Sequence, residues 1–191
     1  MYIFVTGGKT MGHISPLLGI ILELKDEFNF IYFGLEGSME EEVCKKYNIE
    51  FHKMKLKPFY RKNIFKNFKT IKCLLKAHKD CKKIIKEFKP DIAIGVGGYV
   101  TVPVIMAAHS LGVKTFIHEQ NSVAGKANLT LSKFVDLIGV SFKSSMNEFP
   151  KEKTIFTGNP CSEDALKKPA MNKSELKLSK DKKLVLFVMG S

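Results

Sequence analysis

The chain lacks a long apolar run, a paired-cysteine motif and, across one internal stretch, almost any acid. No segment approaches the roughly 18–20 apolar residues that a membrane-spanning helix needs. The apolar start at Tyr2–Val5 has no basic leader and runs directly into glycines, so it does not read as a signal peptide. Both observations point to a cytoplasmic protein. Cys44, Cys73, Cys81 and Cys161 fall without CxxC or Cys/His spacing, which predicts reduced thiols and no metal site. What remains, 45% hydrophobic and 26% charged, is the composition of an ordinary globular domain.

The missing acid is the more informative gap. Residues 52–89 hold 14 Lys/Arg against only Asp80 and Glu87, a local excess of +12 that equals the net charge of the whole chain. A basic field confined to one segment predicts an anionic partner on one face: phospholipid, nucleic acid or a pyrophosphate. No recognisable nucleic-acid-binding motif accompanies it, and nucleic acid is not expected.

Apolar periodicity divides the first 160 residues into alternating strands and helices. Strands are predicted at Tyr2–Val5, Phe30–Phe33, Ile49–Met54, Ile92–Val96, Lys114–Ile117, Leu137–Val140 and Thr154–Phe156. Between them, helices are predicted from Gly12, over Met39–Tyr47, Ile64–Phe88, Val102–Ser110 and Gly125–Phe134. Strands with few polar positions are covered on both faces, which predicts a doubly wound, Rossmann-like parallel sheet of α/β class. Such sheets bind ligands at the carboxyl ends of their strands. There, after Val5, Val96 and Ile117, the glycine and polar clusters fall.

The first cluster is Thr6-Gly7-Gly8-Lys9-Thr10-Met11-Gly12-His13. Glycines between a strand and a helix let backbone N–H groups approach an anion, although the same glycines also serve a bare tight turn. The loop has neither the P-loop spacing nor the GxGxxG fingerprint. His13, in the first helical turn, is expected to stay neutral beside the positive end of the helix dipole; a packing or solvated histidine is the alternative. The second cluster is Gly97-Gly98-Tyr99-Val100-Thr101-Val102-Pro103, with proline in the first turn of a helix. The third, His118-Glu119-Gln120-Asn121, places four polar side chains at a strand end, where they are expected to serve a ligand rather than packing, the alternative being a polar turn that caps the next helix. Glu119 can take a proton or orient a hydroxyl, and Asn121 can bond sugar hydroxyls or an amide.

The predicted helix over 64–88 interleaves Phe65, Phe68 and Leu75 with Lys72, Lys76, Lys79 and Lys83. Two readings stand: a solvated lysine face over a core-facing stripe, or docking on an anionic membrane surface.

The glycine loop ending in Gly12-His13, the Gly97–Pro103 segment, His118–Asn121 and Gly158-Asn159-Pro160 occur in the order and rough spacing of the MurG family, which the chain resembles over essentially its whole length. These enzymes are UDP-N-acetylglucosamine:lipid-linked muramyl-pentapeptide N-acetylglucosaminyltransferases. The resemblance implies the N-terminal half of a GT-B glycosyltransferase, with a cleft between two Rossmann-like domains. It implies inverting transfer of GlcNAc from UDP-GlcNAc to the muramyl 4-hydroxyl of lipid I, giving lipid II for peptidoglycan, without cofactor or metal. By position, His13 and Glu119 become the catalytic candidates. Thr10, Met11, Gly12, Asn121, Ser162 and Ser191 would contact the donor. Gly7, Gly8, Lys9, Gly97, Gly98 and Tyr99 would hold the acceptor's pyrophosphate. The basic helix would hold the enzyme peripherally on the inner face of the plasma membrane.

The chain departs from the family at Lys9 and Met11, where small residues are usual, and at Ser162, where the family carries an arginine for the donor. Residues 1–160 are expected to form the acceptor-binding domain and 161–183 a linker. The apolar run Leu184–Val188, ahead of Met189-Gly190-Ser191, reads as the first strand of a donor domain whose remainder is missing. An orphan strand of this kind invites pairing with a second copy. A noncatalytic membrane- or partner-binding module derived from the acceptor domain is the competing function.

Overall fold

A computed structural model of the chain describes residues 1–8, 10–58 and 64–161, with Lys183 and Val185; for residues 64–66 it describes the backbone alone. Seven strands form one parallel sheet: β1 (Tyr2–Thr6), β2 (Asn29–Leu35), β3 (Glu50–Met54), β4 (Ile92–Gly95), β5 (Lys114–Glu119), β6 (Leu137–Val140) and β7 (Thr154–Phe156). Five helices connect them: α1 (Met11–Leu24), α2 (Met39–Lys46), α3 (Ile64–Phe88), α4 (Thr101–Ser110) and α5 (Lys126–Leu131). Two 3-10 turns, Lys143–Glu148 and Lys151–Lys153, lead from β6 to β7.

The period-2 geometry of a strand sends alternate side chains to opposite faces. Ile3 and Val5 of β1, with Phe30 and Tyr32 of β2, therefore pack against Leu17 and Ile21 of α1 on one side. Phe4, Ile31 and Phe33 face the other side, where Cys81 and Ile85 of α3 and Val104, Ile105 and Ala108 of α4 complete a second core. Both faces of the central strands are buried, which is why their sequences show apolar runs rather than alternation.

The strand order is β3-β2-β1-β4-β5-β6-β7. The chain winds one way from β1 to β3 and the other way from β4 onward. The crevice between β1 and β4 is thus the topological switch point, where open parallel sheets bind ligands. The loop after β1 contains Gly7 and Gly8, and the loop after β4 contains Gly97 and Gly98. The fold brings the first two sequence clusters together at this crevice and sets the third beside them.

Most boundaries shift from expectation by a residue or two, and three of the shifts lie near the site. The strand β5 continues through His118 and Glu119, pairing them with Gly139 and Val140. The helix α5 is only six residues long, since Gly125 stays extended and the chain turns at Leu131, whose carbonyl accepts from both Phe134 and Val135. The strand β4 stops at Gly95, though Val96 N still donates to Thr6 O at 3.0 Å. The linker and the Leu184–Val188 strand lie outside the described residues, apart from Cys161, Lys183 and Val185, which is exposed.

Candidate active site

Geometry at the switch point follows from glycines that have no room for a side chain. Gly98, at φ +81°, would place a Cβ 3.1 Å from Gly8 O, so the two glycine loops touch backbone to backbone. Gly97, at φ +98°, would place one 3.2 Å from His13 Cδ2 and 3.3 Å from its Nε2. Both positions need glycine twice over, for the left-handed backbone and for the close approach. The loop is tied down from α4: Thr101 Oγ1 donates to Gly97 O at 2.6 Å and Thr101 N to Gly98 O at 3.2 Å.

His13 sits over this loop, half-buried at the start of α1. Its Nδ1 lies 3.1 Å from Thr10 Oγ1, leaving Nε2 toward Gly97. Burial holds the imidazole below its ordinary pKa, with the Glu119 charge acting weakly in the opposite direction. The expected direction therefore holds, and desolvation is the leading cause. The ring is neutral at neutral pH, and its tautomer sets its use. When Nδ1–H donates to Thr10, Nε2 is bare and can accept a proton; when Thr10 donates, Nε2–H is a donor.

Glu119 is 1% exposed, and both carboxylate oxygens are fully engaged. Oε1 accepts from Asn121 N at 3.0 Å and Asn121 Nδ2 at 2.8 Å. Oε2 accepts from Gly125 N at 2.9 Å and Asn128 Nδ2 at 2.9 Å. Four N–H groups converge on one carboxylate, which thereby folds the 119–128 segment around itself. To take a proton, Glu119 would have to release one of these bonds.

His118 corrects the expectation that this polar run serves a ligand throughout. It is 1% exposed, and its Nε2 lies 3.0 Å from Gly158 O and 3.1 Å from Thr157 Oγ1, so it ties β5 to the chain leaving β7. Burial depresses its pKa. Gln120 also turns inward, with Nε2 donating to Val96 O at 3.0 Å.

Two residues matter here that sequence reasoning passed over. Asn128 donates to His118 O and Glu119 Oε2, while its buried Oδ1 has no partner among the described residues. Its place seven residues beyond the polar cluster gave no signal, because α5 returns it to the site only in three dimensions. Glu40, fully buried in the first turn of α2, occupies space cleared by Gly8 and Gly34; a Cβ on either would lie within 2.4–2.6 Å of its side chain. Its Oε1 accepts from Leu35 N at 3.3 Å. The run of three glutamates at 40–42 reads in sequence as a solvated acidic helix start and concealed this role.

A cleft of about 660 Å³ opens beside these groups, bounded by His13, Gly97, Gly98, Tyr99, Glu119 and Asn128. That volume is within the usual range of roughly 300–1,000 Å³ for small-molecule sites. Gly7 and Gly8 do not line it: they are buried behind it, where Gly7 faces Val96 and Leu17 and Tyr32 Oη donates to Gly7 O at 2.6 Å. Thr10, Met11, Gly12 and Asn121 are not among its lining residues but adjoin them at His13 and Glu119, with Met11, Gly12 and Asn121 exposed, and so border its rim. Around Gly12 a Cβ would meet only Thr10 Oγ1, at 3.7 Å, so the rim there is open. Lys9, Ser162 and Ser191 lie outside the described residues, as does the side chain of Phe65. No group of three or more metal-ligating side chains occurs among the described residues.

On α3 the apolar side chains Phe68, Ile71 and Leu75 are 69%, 47% and 64% exposed. Lys72, Lys76, Lys79 and Lys83 stand beside them, all exposed, with Lys72 Nζ 5.5 Å from the Phe68 ring centroid. Among the described residues, only Lys83 pairs with an acid along this row, Asp80 at 3.7 Å. No helix among the described residues is long and apolar enough to cross a membrane.

Residues 2–140 match the glycosyltransferase family 28 N-terminal domain. The chain is 43% identical over its whole length to a Bacillus licheniformis UDP-N-acetylglucosamine–N-acetylmuramyl-(pentapeptide) pyrophosphoryl-undecaprenol N-acetylglucosamine transferase, and covers 53% of that protein. With the Bacillus subtilis transferase of the same name it shares 41% identity and covers 54%. It therefore spans about half the length of these curated relatives. Among solved structures, Acinetobacter baumannii MurG superposes with a TM-score of 0.69 at 28% identity, over 83% of this chain and 45% of that one. A Methanocaldococcus jannaschii UDP-GlcNAc 2-epimerase shares the fold, with a TM-score of 0.65 at 14% identity over 87% of this chain and 48% of that one. The glycine loops, the His13 cleft and the match over residues 2–140 agree: the chain belongs to glycosyltransferase family 28 and carries its N-terminal domain.

Proposed function

We propose that this chain is the acceptor side of an N-acetylglucosaminyltransferase that moves GlcNAc from UDP-GlcNAc to the muramyl sugar of undecaprenyl-pyrophosphoryl-MurNAc-pentapeptide. The observation that carries the proposal is 41–43% identity, over the full chain, to relatives of that name. The meeting of His13, Gly97-Gly98 and the Glu119 frame at one cleft supports it. In this reading, Nδ1–H of His13 donates to Thr10 and the bare Nε2 accepts the proton of the acceptor's 4-hydroxyl. The freed oxygen attacks the anomeric carbon of GlcNAc, forming the new glycosidic bond as the bond to the UDP oxygen breaks. UDP leaves with that electron pair, and the configuration inverts. Burial of His13 suits the task, because a lowered pKa keeps the base unprotonated at neutral pH. Glu119 acts through Asn121, Gly125 and Asn128 as a positioning residue.

The acceptor pyrophosphate rests against Gly97, Gly98 and Tyr99, with Gly7 and Gly8 fixing that loop from behind. The donor sugar approaches over the open rim at Thr10, Met11, Gly12 and Asn121. The exposed stripe of α3 docks on the anionic inner surface of the plasma membrane, where a lipid-linked acceptor resides, and the enzyme works peripherally from the cytoplasm. Each lysine near the headgroups contributes about 1 kcal/mol. The test joins this chain to the C-terminal half of the Bacillus subtilis relative and follows radiolabelled GlcNAc from UDP-GlcNAc into lipid I. Incorporation that falls at least a hundredfold in His13→Ala supports the proposal. Incorporation unchanged by that substitution refutes His13 as the base.

A further inference from the structure

Gly158-Asn159-Pro160, a motif of the sequence, does not line the cleft, yet it is anchored with care. The chain leaves the sheet at Thr157, whose N donates to Val140 O at 3.1 Å. At Gly158 it turns, at φ +72°, and three side chains meet the Gly158 carbonyl: His118 Nε2 at 3.0 Å, Thr157 Oγ1 at 3.2 Å and Ser141 Oγ at 3.3 Å. A carbonyl only accepts, so the first contact fixes the His118 tautomer with its hydrogen on Nε2 and Nδ1 bare. Nδ1 is buried without a partner among the described residues, which leaves Nε2–H, toward Gly158 O and Thr157 Oγ1, to hold the ring. Gly139 clears the floor for this clasp: a Cβ there would lie 3.0 Å from His118 Cδ2 and 3.1 Å from Thr157 Oγ1. Residues 157–161 carry no charged side chain, so no side-chain ion pair can do the same work.

Past the clasp the segment reaches α1. A Cβ on Gly19 would lie 3.3 Å from Pro160 O, so helix and segment touch backbone to backbone. Gly19 follows His13 on the same helix by six residues (13 to 19), about 9 Å of helical rise. The outgoing chain thus crosses from the sheet edge at β7 to the flank of the helix that carries His13. Successive side chains of a strand point to opposite faces. At the end of β5, Glu119 frames the cleft on one face, and His118 clasps the outgoing chain on the other. We propose, resting on the transferase reading above, that His118 is a positioning residue for the transfer. With Ser141 it fixes the line on which the chain leaves this domain, and so brings the half of the enzyme that follows residue 161 over the His13 cleft. A loosened clasp therefore impairs use of UDP-GlcNAc, which approaches from that half, and leaves the acceptor's binding alone.

The test compares three variants. His118→Phe keeps a ring and removes the donor, Ser141→Ala removes a second donor to the same carbonyl, and His118→Gln restores an N–H near the place of Nε2. In the 191-residue chain, amide hydrogen exchange over residues 157–161 is expected to quicken about tenfold in His118→Phe, the net effect of one hydrogen bond. The change should be smaller in Ser141→Ala and largely reversed in His118→Gln, while exchange at Asn121 and Gly125 stays as in the parent. Joined to the C-terminal half of the Bacillus subtilis relative, the variants should raise the KM for UDP-GlcNAc in the same order, about tenfold at most, with the KM for lipid I unchanged. Thermal melting shows which variants have folded, and Ser141→Ala carries both comparisons where His118→Phe does not fold. Exchange over 157–161 that keeps the parent rate in the folded variants would overturn the clasp. Faster exchange with an unchanged KM for UDP-GlcNAc, or with both KM values raised alike, would overturn the positioning role and leave His118 a residue that only holds the fold. A parent fusion that transfers no GlcNAc would sink the transferase reading, and the positioning role with it.

Discussion

Substitution of Glu119 by glutamine separates a frame-holding carboxylate from a proton-taking one. Glutamine keeps the shape but replaces one acceptor oxygen with an NH2 group. Whichever way the amide turns, that NH2 faces two N–H donors: Asn121 N and Nδ2 on one side, or Gly125 N and Asn128 Nδ2 on the other. Two hydrogen bonds to a charged group are lost, each worth about 1.5–3 kcal/mol. Of these donors, the Asn128 amide is buried against Glu119, whereas Gly125 and Asn121 are exposed and can turn to water. The total, on the order of 3–6 kcal/mol, is a large part of the roughly 5–15 kcal/mol that holds a typical domain folded. At about 2–4 °C per kcal/mol for a chain of this size, the melting temperature should fall on the order of 10–20 °C. Circular dichroism melts of the parent and Glu119→Gln measure it directly. A shift under about 3 °C would refute the reasoning and return Glu119 to the role of a dispensable carboxylate beside the acceptor hydroxyl.

Stability should fall as pH drops below about 6.5. His13, His52, His78 and His118 all have lowered folded pKa values, led in each case by burial, so the unfolded chain binds more protons in the window between folded and unfolded values. Their stabilising contribution is complete above the unfolded value and is lost through that window, and urea midpoints at pH 7.5 and 5.5 should show the decline. Gly97→Ala should cost about 1–3 kcal/mol through its left-handed backbone. It should also displace the His13 ring, visible as shifted imidazole resonances in NMR with a melting temperature a few degrees lower. Neutralising Lys76, Lys79 and Lys83 as glutamine should weaken binding to anionic vesicles roughly a hundredfold, from about 1 kcal/mol each, with no change on neutral vesicles or in melting temperature.

Much of this structure was legible in sequence because its strands are buried on both faces. Runs such as Phe30-Ile31-Tyr32-Phe33 have few other readings, and glycines at strand ends marked the switch point. The helix over 64–88 was legible to the residue because proline at 90 stops it. The polar cluster after β5 was read only in part. A histidine and a glutamate in sequence look like ligand groups whether they face a cleft or serve the interior. The sheet register that buries His118 beside Gly139, and the fold of 119–128 around Glu119, are tertiary facts. Glu40 and Asn128 were missed for the same reason: each is brought to the site by packing, with no local pattern to announce it.

The central claim is that this domain recognises a lipid-linked muramyl acceptor at the His13 cleft. Co-sedimentation with vesicles of matched charge, with and without lipid I, tests it most directly, with His13→Ala run alongside. The account predicts tighter binding when lipid I is present, and loss of that increment, though not of the underlying lysine-dependent binding, in His13→Ala. Binding that ignores lipid I, in the parent as in the variant, would contradict it and leave a domain that touches membranes without recognising what they carry.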